Sequence, residues 1–172
     1  MRKEDYISSV GSRRMLDSTL CSTAYRLATH VGMPWSSEPP QDLTWDGSVG
    51  RFGGLSSSNV VHEIAHWVVC PRKYRHLREF GLGNFLGSSP QAMEDFTTRW
   101  GVSKDSSRAD KEEEQVSMLG IQIEFRLGWD WRDTAIDQGW DLREYHFVEA
   151  QMRRNRKLYD AGRPRCLLGF PV

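Results

Sequence analysis

The segment VVHEIAHWVV places His62, Glu63 and His66 in an H-E-x-x-H pattern. An α-helix turns once every 3.6 residues, so side chains at i and i+4 stack on one face and two imidazoles there can reach one metal ion. Glu63 falls beside that ion. In zinc hydrolases with this pattern the glutamate takes the proton of the metal-bound water and does not ligate. Val60, Val61, Ile64, Val68 and Val69 make the helix apolar nearly all round, which predicts that it is buried. Buried imidazoles need a polar partner, and a metal supplies one. Two histidines packed on a helix with no ion are the competing account.

A two-histidine site needs at least one further protein ligand, usually a carboxylate from a later helix. The segment KEEEQVSMLGIQIEF offers Glu112, Glu113 and Glu114 at the start of an otherwise buried helix. Glu113, 47 residues after His66, is the preferred ligand, with Glu114 in reserve. For any single one of the three, a solvated acidic first turn that complements the helix dipole is the competing account. Gly120 in the same helix would let a neighbouring backbone approach closely. Two histidines and one carboxylate with open positions describe both Fe(II) oxygenases and zinc hydrolases. A hydrolase would use Glu63 as general base, whereas an oxygenase needs no such base.

These residues need elements to hold them. Leu16, Leu20, Ala24, Leu27, Ala28 and Val31 recur at helical steps and predict a helix from Arg13 to Val31, stopped by Gly32 and Pro34. Trp35 to Ser58, with an Asp46-Gly47 turn signal and several glycines, predicts a long loop containing at most a short hairpin. Ser57 or Ser58 would cap a histidine helix from about Asn59 to Cys70. Arg72 to Phe80 reads as a short helix closed by Gly81, and Ser89-Pro90 opens another through Trp100. The glutamate helix runs from Ala109 to Leu127, and a last helix from Asp141 to Asp160 leaves RPRCLLGFPV as a tail. The expected architecture is mainly α, with α+β possible. It is a single helical domain over residues 1–172 in which the histidine helix packs on the glutamate helix, with at most a small sheet.

Composition narrows the function classes. At 172 residues, 38% hydrophobic and seven tryptophans, the chain can bury a substantial core. Twenty-three basic residues balance 23 acidic ones, which argues against DNA or an anionic membrane as partner. The charged start MRKEDYISSV lacks the apolar stretch of a signal peptide and no run is long enough to cross a bilayer, so a cytoplasmic location is expected. Cys21, Cys70 and Cys166 are odd in number and far apart, and read as free thiols. Cys70 continues the series from His62 and His66, but lies about 6 Å further along the axis and reads as core. His76 reads as a partly exposed helix residue, Trp129, Trp131 and Trp140 as core, and Arg153, Arg154, Arg156 and Lys157 as a solvated basic face. His30 and His146 have no recognisable partner spacing.

HEIAHWVVCPRKYRHLREFGLGNF, followed at similar spacing by EEEQVSMLGIQIEFRLGW, resembles the elongation factor P hydroxylase family. The resemblance spans Ser57 to Trp131 and departs from the family after Gly81, where LGNFLGSS replaces an aromatic, proline-containing stretch. It implies a non-haem Fe(II) enzyme that hydroxylates a modified lysine on a translation factor, a protein substrate. By motif, His62, His66 and Glu113 are the implied metal ligands and Glu63 lies at the site. A zinc metallopeptidase-like hydrolase on the same ligands, with Glu63 catalytic, is the second expectation. A binding module whose metal is structural or absent is the third, although a structural zinc normally has four protein ligands.

Overall fold

The computed structural model describes residues 18–82, 90–101, 107–131 and 167–171. Helix α1 covers 18–30 and turns Ala24, Leu27 and Ala28 into the core. It stops where the sequence places the stop. Gly32 takes φ 72°, its N–H bonds the Thr29 carbonyl at 3.1 Å, and the Met33 N–H bonds the Ala28 carbonyl at 3.0 Å. That left-handed glycine closure satisfies carbonyls the helix leaves open. The part of the predicted helix before residue 18 lies outside the described residues.

The long loop that follows is irregular, as expected, but its pairing is not a simple hairpin. β1 (Trp35–Ser36) and β2 (Gly50–Arg51) run parallel, with Trp35 opposite Gly50. The Asp46-Gly47 turn closes a separate antiparallel bridge between Trp45 and Gly50. Asp46 Oδ1 accepts the N–H groups of Ser48 and Val49, each at 2.9 Å, which fixes the turn. Gly47 must be glycine: its φ is 95°, and a Cβ there would stand 2.5 Å from the His76 carbonyl oxygen.

Helix α2 (Ser57–Val69) carries the histidines. Its cap is Ser56, one residue earlier than predicted, whose Oγ accepts the Asn59 N–H at 3.2 Å. The helix ends at Cys70 because Pro71 follows, and the residue before proline is pushed to extended backbone. The single helix expected over Arg72 to Phe80 is instead two 3₁₀ turns, Arg72–Tyr74 and Arg78–Gly81. Glu79 and Phe80 take φ 44° and 56°, and left-handed backbone cannot continue a right-handed helix.

Helix α3 (Pro90–Trp100) begins on its proline, whose fixed φ suits a first helical position. Helix α4 (Ser107–Leu127) ends like α1, on a left-handed glycine: Gly128 has φ 76° and the Trp129 N–H reaches the Glu124 carbonyl at 2.9 Å. The last predicted helix, with Trp140, His146, Arg153, Arg154, Arg156 and Lys157, lies outside the described residues, as does Cys166. The C-terminal segment is not a bare tail. Leu167 and Phe170 are buried in the same apolar cluster as Ala24, Leu27, Val60, Val61, Ile64, Phe80 and Ile123. The fold is mainly helical with one small sheet, and α2 lies packed on α4. No helix among the described residues is long and apolar enough to cross a membrane.

Candidate metal centre

The two helices come close at Gly120, where a Cβ would lie 3.8 Å from the His62 Cα and 4.0 Å from Val61 Cγ1. About two helical turns earlier on α4, Glu113 meets the histidine pair. Its Oε1 is 3.0 Å from His62 Nε2 and its Oε2 is 3.4 Å from His66 Nε2, while the two Nε2 atoms stand 3.1 Å apart. The imidazole planes are nearly perpendicular, at 85°. Among the described residues, His62, His66 and Glu113 form the group of His, Cys, Asp or Glu side chains that could hold a metal ion.

The residues present fit a cation. A neutral imidazole has one N–H, so two of them cannot satisfy three mutual contacts among two nitrogens and a carboxylate. Nor are the other ring nitrogens paired in a way that would decide the protons: His62 Nδ1 and His66 Nδ1 are buried and have no hydrogen-bond partner among the described residues. Ligands about 2.1 Å from one ion stand roughly 3.0 Å apart at right angles and 3.4 Å apart at tetrahedral angles, which is the range found here.

Burial governs the charges. His66 is held neutral, its pKa pulled down to about 3, chiefly by burial. Its lone pair is therefore free for a metal. For Glu113, burial works upward, but the His62 hydrogen bond and the nearby His66 outweigh it, and the carboxyl titrates below the ordinary range. Glu63 goes the other way. Burial pushes it well above the ordinary carboxyl range, reinforced by Glu79 and then Glu113, and its Oε2 has no partner among the described residues. Burial also raises Glu79, although backbone N–H groups of Trp45 and Thr44 oppose it.

The other glutamates separate cleanly. Glu112 is turned away from the imidazoles and bonded to Arg99, and Glu114 is exposed. Cys70 lies in the core, its Sγ 3.6 Å from the Pro71 carbonyl oxygen and its thiol pushed up to about 11 by burial. His76 is exposed, His30 packs edge-on against Phe170, Trp131 is buried, and Trp129 packs partly buried against the core.

Three residues at this centre escaped the sequence reading. Phe80 lies flat on His66, with ring centroids 5.4 Å apart, and is itself stacked on Trp45 at 5.2 Å. Glu79 accepts the Trp45 N–H at 3.2 Å, and Arg99 fastens the backbone at Phe80. The E-F-G run was the available signal for the first two, but it reads as a helix stop. Arg99 carried no signal of its own, since a basic residue in the last turn of a helix is ordinary.

The chain matches no family model, no curated protein and no solved structure.

Proposed function

We propose that this chain is a mononuclear metal-dependent enzyme in which His62, His66 and Glu113 hold the ion, and that it acts as an Fe(II) hydroxylase of the type its histidine and glutamate segments resemble. The observation that carries the reading is the convergence of two neutral-capable imidazoles and one carboxylate within 3.0–3.4 Å of one another. Three protein ligands leave coordination positions for small molecules, unlike a four-ligand structural site. Bound Fe(II) in such a set supplies the chemistry by which dioxygen and a two-electron reductant place one oxygen atom in a C–H bond and release the other as water.

The chain's own residues do the rest. His66 presents its lone pair because burial keeps it neutral, and Phe80 fixes the plane of its ring. Glu113 stays anionic and balances the charge of the ion. Glu63 keeps its proton to higher pH than an ordinary carboxyl, so it can hold one beside the centre. The substrate class, a lysine side chain on a translation factor, follows the resemblance.

A zinc hydrolase is the second reading, favoured by one observation: Glu63 lies one residue from a ligand with its Oε2 buried and without a hydrogen-bond partner among the described residues, where a general base would stand. The two readings part on Glu63→Gln. Protein is purified anaerobically without a metal-chelating tag, its iron and zinc are measured, and it is reloaded with Fe(II), because zinc outcompetes iron for such ligands. We expect about one metal per chain and transfer of one oxygen to a lysine-bearing substrate, read by mass, with Glu63→Gln retaining metal and hydroxylation. A peptidase activity that Glu63→Gln lowers by several orders of magnitude, with no hydroxylation, assigns the hydrolase instead. A folded chain that binds neither metal rules out both.

A further inference from the structure

We infer that Arg99 is a positioning residue that sets the spacing between the two halves of the centre, His66 on α2 and Glu113 on α4, an inference that rests on the metal reading above. Its side chain is 2% exposed, and the guanidinium carries two jobs at once. Nη1 donates to the Phe80 carbonyl at 2.5 Å, and Nη2 donates to both carboxylate oxygens of Glu112, at 2.6 and 2.5 Å. Phe80 is the residue stacked on His66, and Glu112 is joined through the chain to Glu113. One buried side chain thus ties the residue behind one ligand to the residue beside another.

The surroundings leave it little freedom. The rings of Trp100 and Tyr74 lie 4.6 and 5.5 Å from its guanidinium carbon. Gly81 packs so closely that a Cβ there would stand 3.0 Å from Arg99 Cδ. Trp100 Nε1 secures the next carbonyl, that of Gly81, at 2.9 Å. These bonds matter because Glu79 and Phe80 are non-glycine residues in left-handed backbone, a strained conformation that only surrounding contacts sustain. Without the Phe80 bond the segment is free to relax toward ordinary backbone and carry its ring off His66. Lysine cannot replace the fork, because an ammonium is a single point and cannot reach a carbonyl and a bidentate carboxylate together.

The test uses full-length protein loaded with Co(II), a probe whose visible spectrum reports ligand geometry. Arg99→Lys is expected to stay folded by circular dichroism, to bind Co(II) about 10–100-fold more weakly, and to shift the band positions or intensities. The control is Arg78→Lys. Arg78 joins the same 3₁₀ turn to the same helix through Asp95, at 2.8 Å, and its guanidinium bonds Asp95 and the Gln91 carbonyl where that of Arg99 bonds Phe80 and Glu112. It is expected to keep the parental spectrum. An unshifted spectrum and affinity in Arg99→Lys overturn the inference, and so does an equal shift in Arg78→Lys, which would mean general loosening. Should Arg99→Lys fail to fold, Glu112→Gln decides in the same way: a shifted spectrum supports the role and an unshifted one overturns it. Failure of the parent chain to bind Co(II) is a different result, since it removes the metal centre itself.

Discussion

Glu112 and Glu113 are neighbours in the chain, yet one helical step rotates a side chain by about 100°. That rotation sends Glu113 to the imidazoles and Glu112 to Arg99. A similar contrast holds for Cys70, which follows His66 at the spacing that joins the two histidines but lies in the core with 1% exposure. Because burial favours its neutral thiol, its pKa rises from 9.0 to about 11. The sign follows: the folded state holds the proton more tightly than the unfolded chain, so this contribution to stability is complete below about pH 9 and is lost as pH rises towards 11. The thiolate is the reactive form. In folded protein at pH 8, a thiol-alkylating reagent should therefore modify the half-buried Cys21 well before Cys70, as peptide masses would show. Equal rates at the two positions would contradict the burial described here. At this scale the sequence made the histidine pair legible, because i and i+4 suffice to place both on one face. Among the three glutamates the preferred Glu113 is the one that stands at the histidines, but the sequence did not show why Glu112 is withdrawn, since that depends on the Arg99 guanidinium brought by another helix.

At the scale of elements, the centre depends on how closely α2 and α4 approach. Gly120 stands at that approach, but the 3.8 Å to the His62 Cα is ordinary contact for a methyl group, so the space does not demand glycine. Glycine inside a helix costs about 0.5–1 kcal/mol relative to alanine. Gly120→Ala is accordingly expected to raise stability to denaturant by about that much and to leave metal affinity unchanged. Gly120→Leu should force the helices apart, lowering both stability and affinity. A destabilised Gly120→Ala protein would show that the helices pack more tightly than this. The extents of α2, α3 and α4 were readable from apolar periodicity, serine caps and proline positions. The 3₁₀ turns were not. Glu79 and Phe80 have no local preference for left-handed backbone, and what holds them there are the Trp45 and Arg99 bonds, made by residues 34 and 19 positions away.

Across the whole molecule, the piece farthest along the chain closes on the piece at the beginning. Phe170 is packed beside α1, with His30 edge-on at 5.4 Å and the Arg26 guanidinium 5.6 Å from its ring centre. The α1 end is in turn fixed to the histidine helix, where Trp67 Nε1 bonds the Val31 carbonyl at 3.2 Å. The ten-residue RPRCLLGFPV run shows no period, so sequence alone gave it no role, and only the docked fold distinguishes buried Leu167 and Phe170 from exposed Leu168. That distinction is measurable. Emptying a buried phenylalanine site costs roughly 3–5 kcal/mol. At roughly 2–4 °C per kcal/mol for a chain of this size, Phe170→Ala should lower the melting temperature by roughly 10 °C. Leu168→Ala, on a residue 60% exposed, should change stability by no more than about 0.5 kcal/mol. The ring contacts of Phe170 described above are with His30 and Arg26 of α1, so the Co(II) spectrum of folded Phe170→Ala protein should match the parent. Equal melting of the two variants would mean the segment does not close on α1. A changed spectrum would mean that the α1 packing reaches the metal through α2, making the centre a property of the whole core and not of the α2–α4 pair.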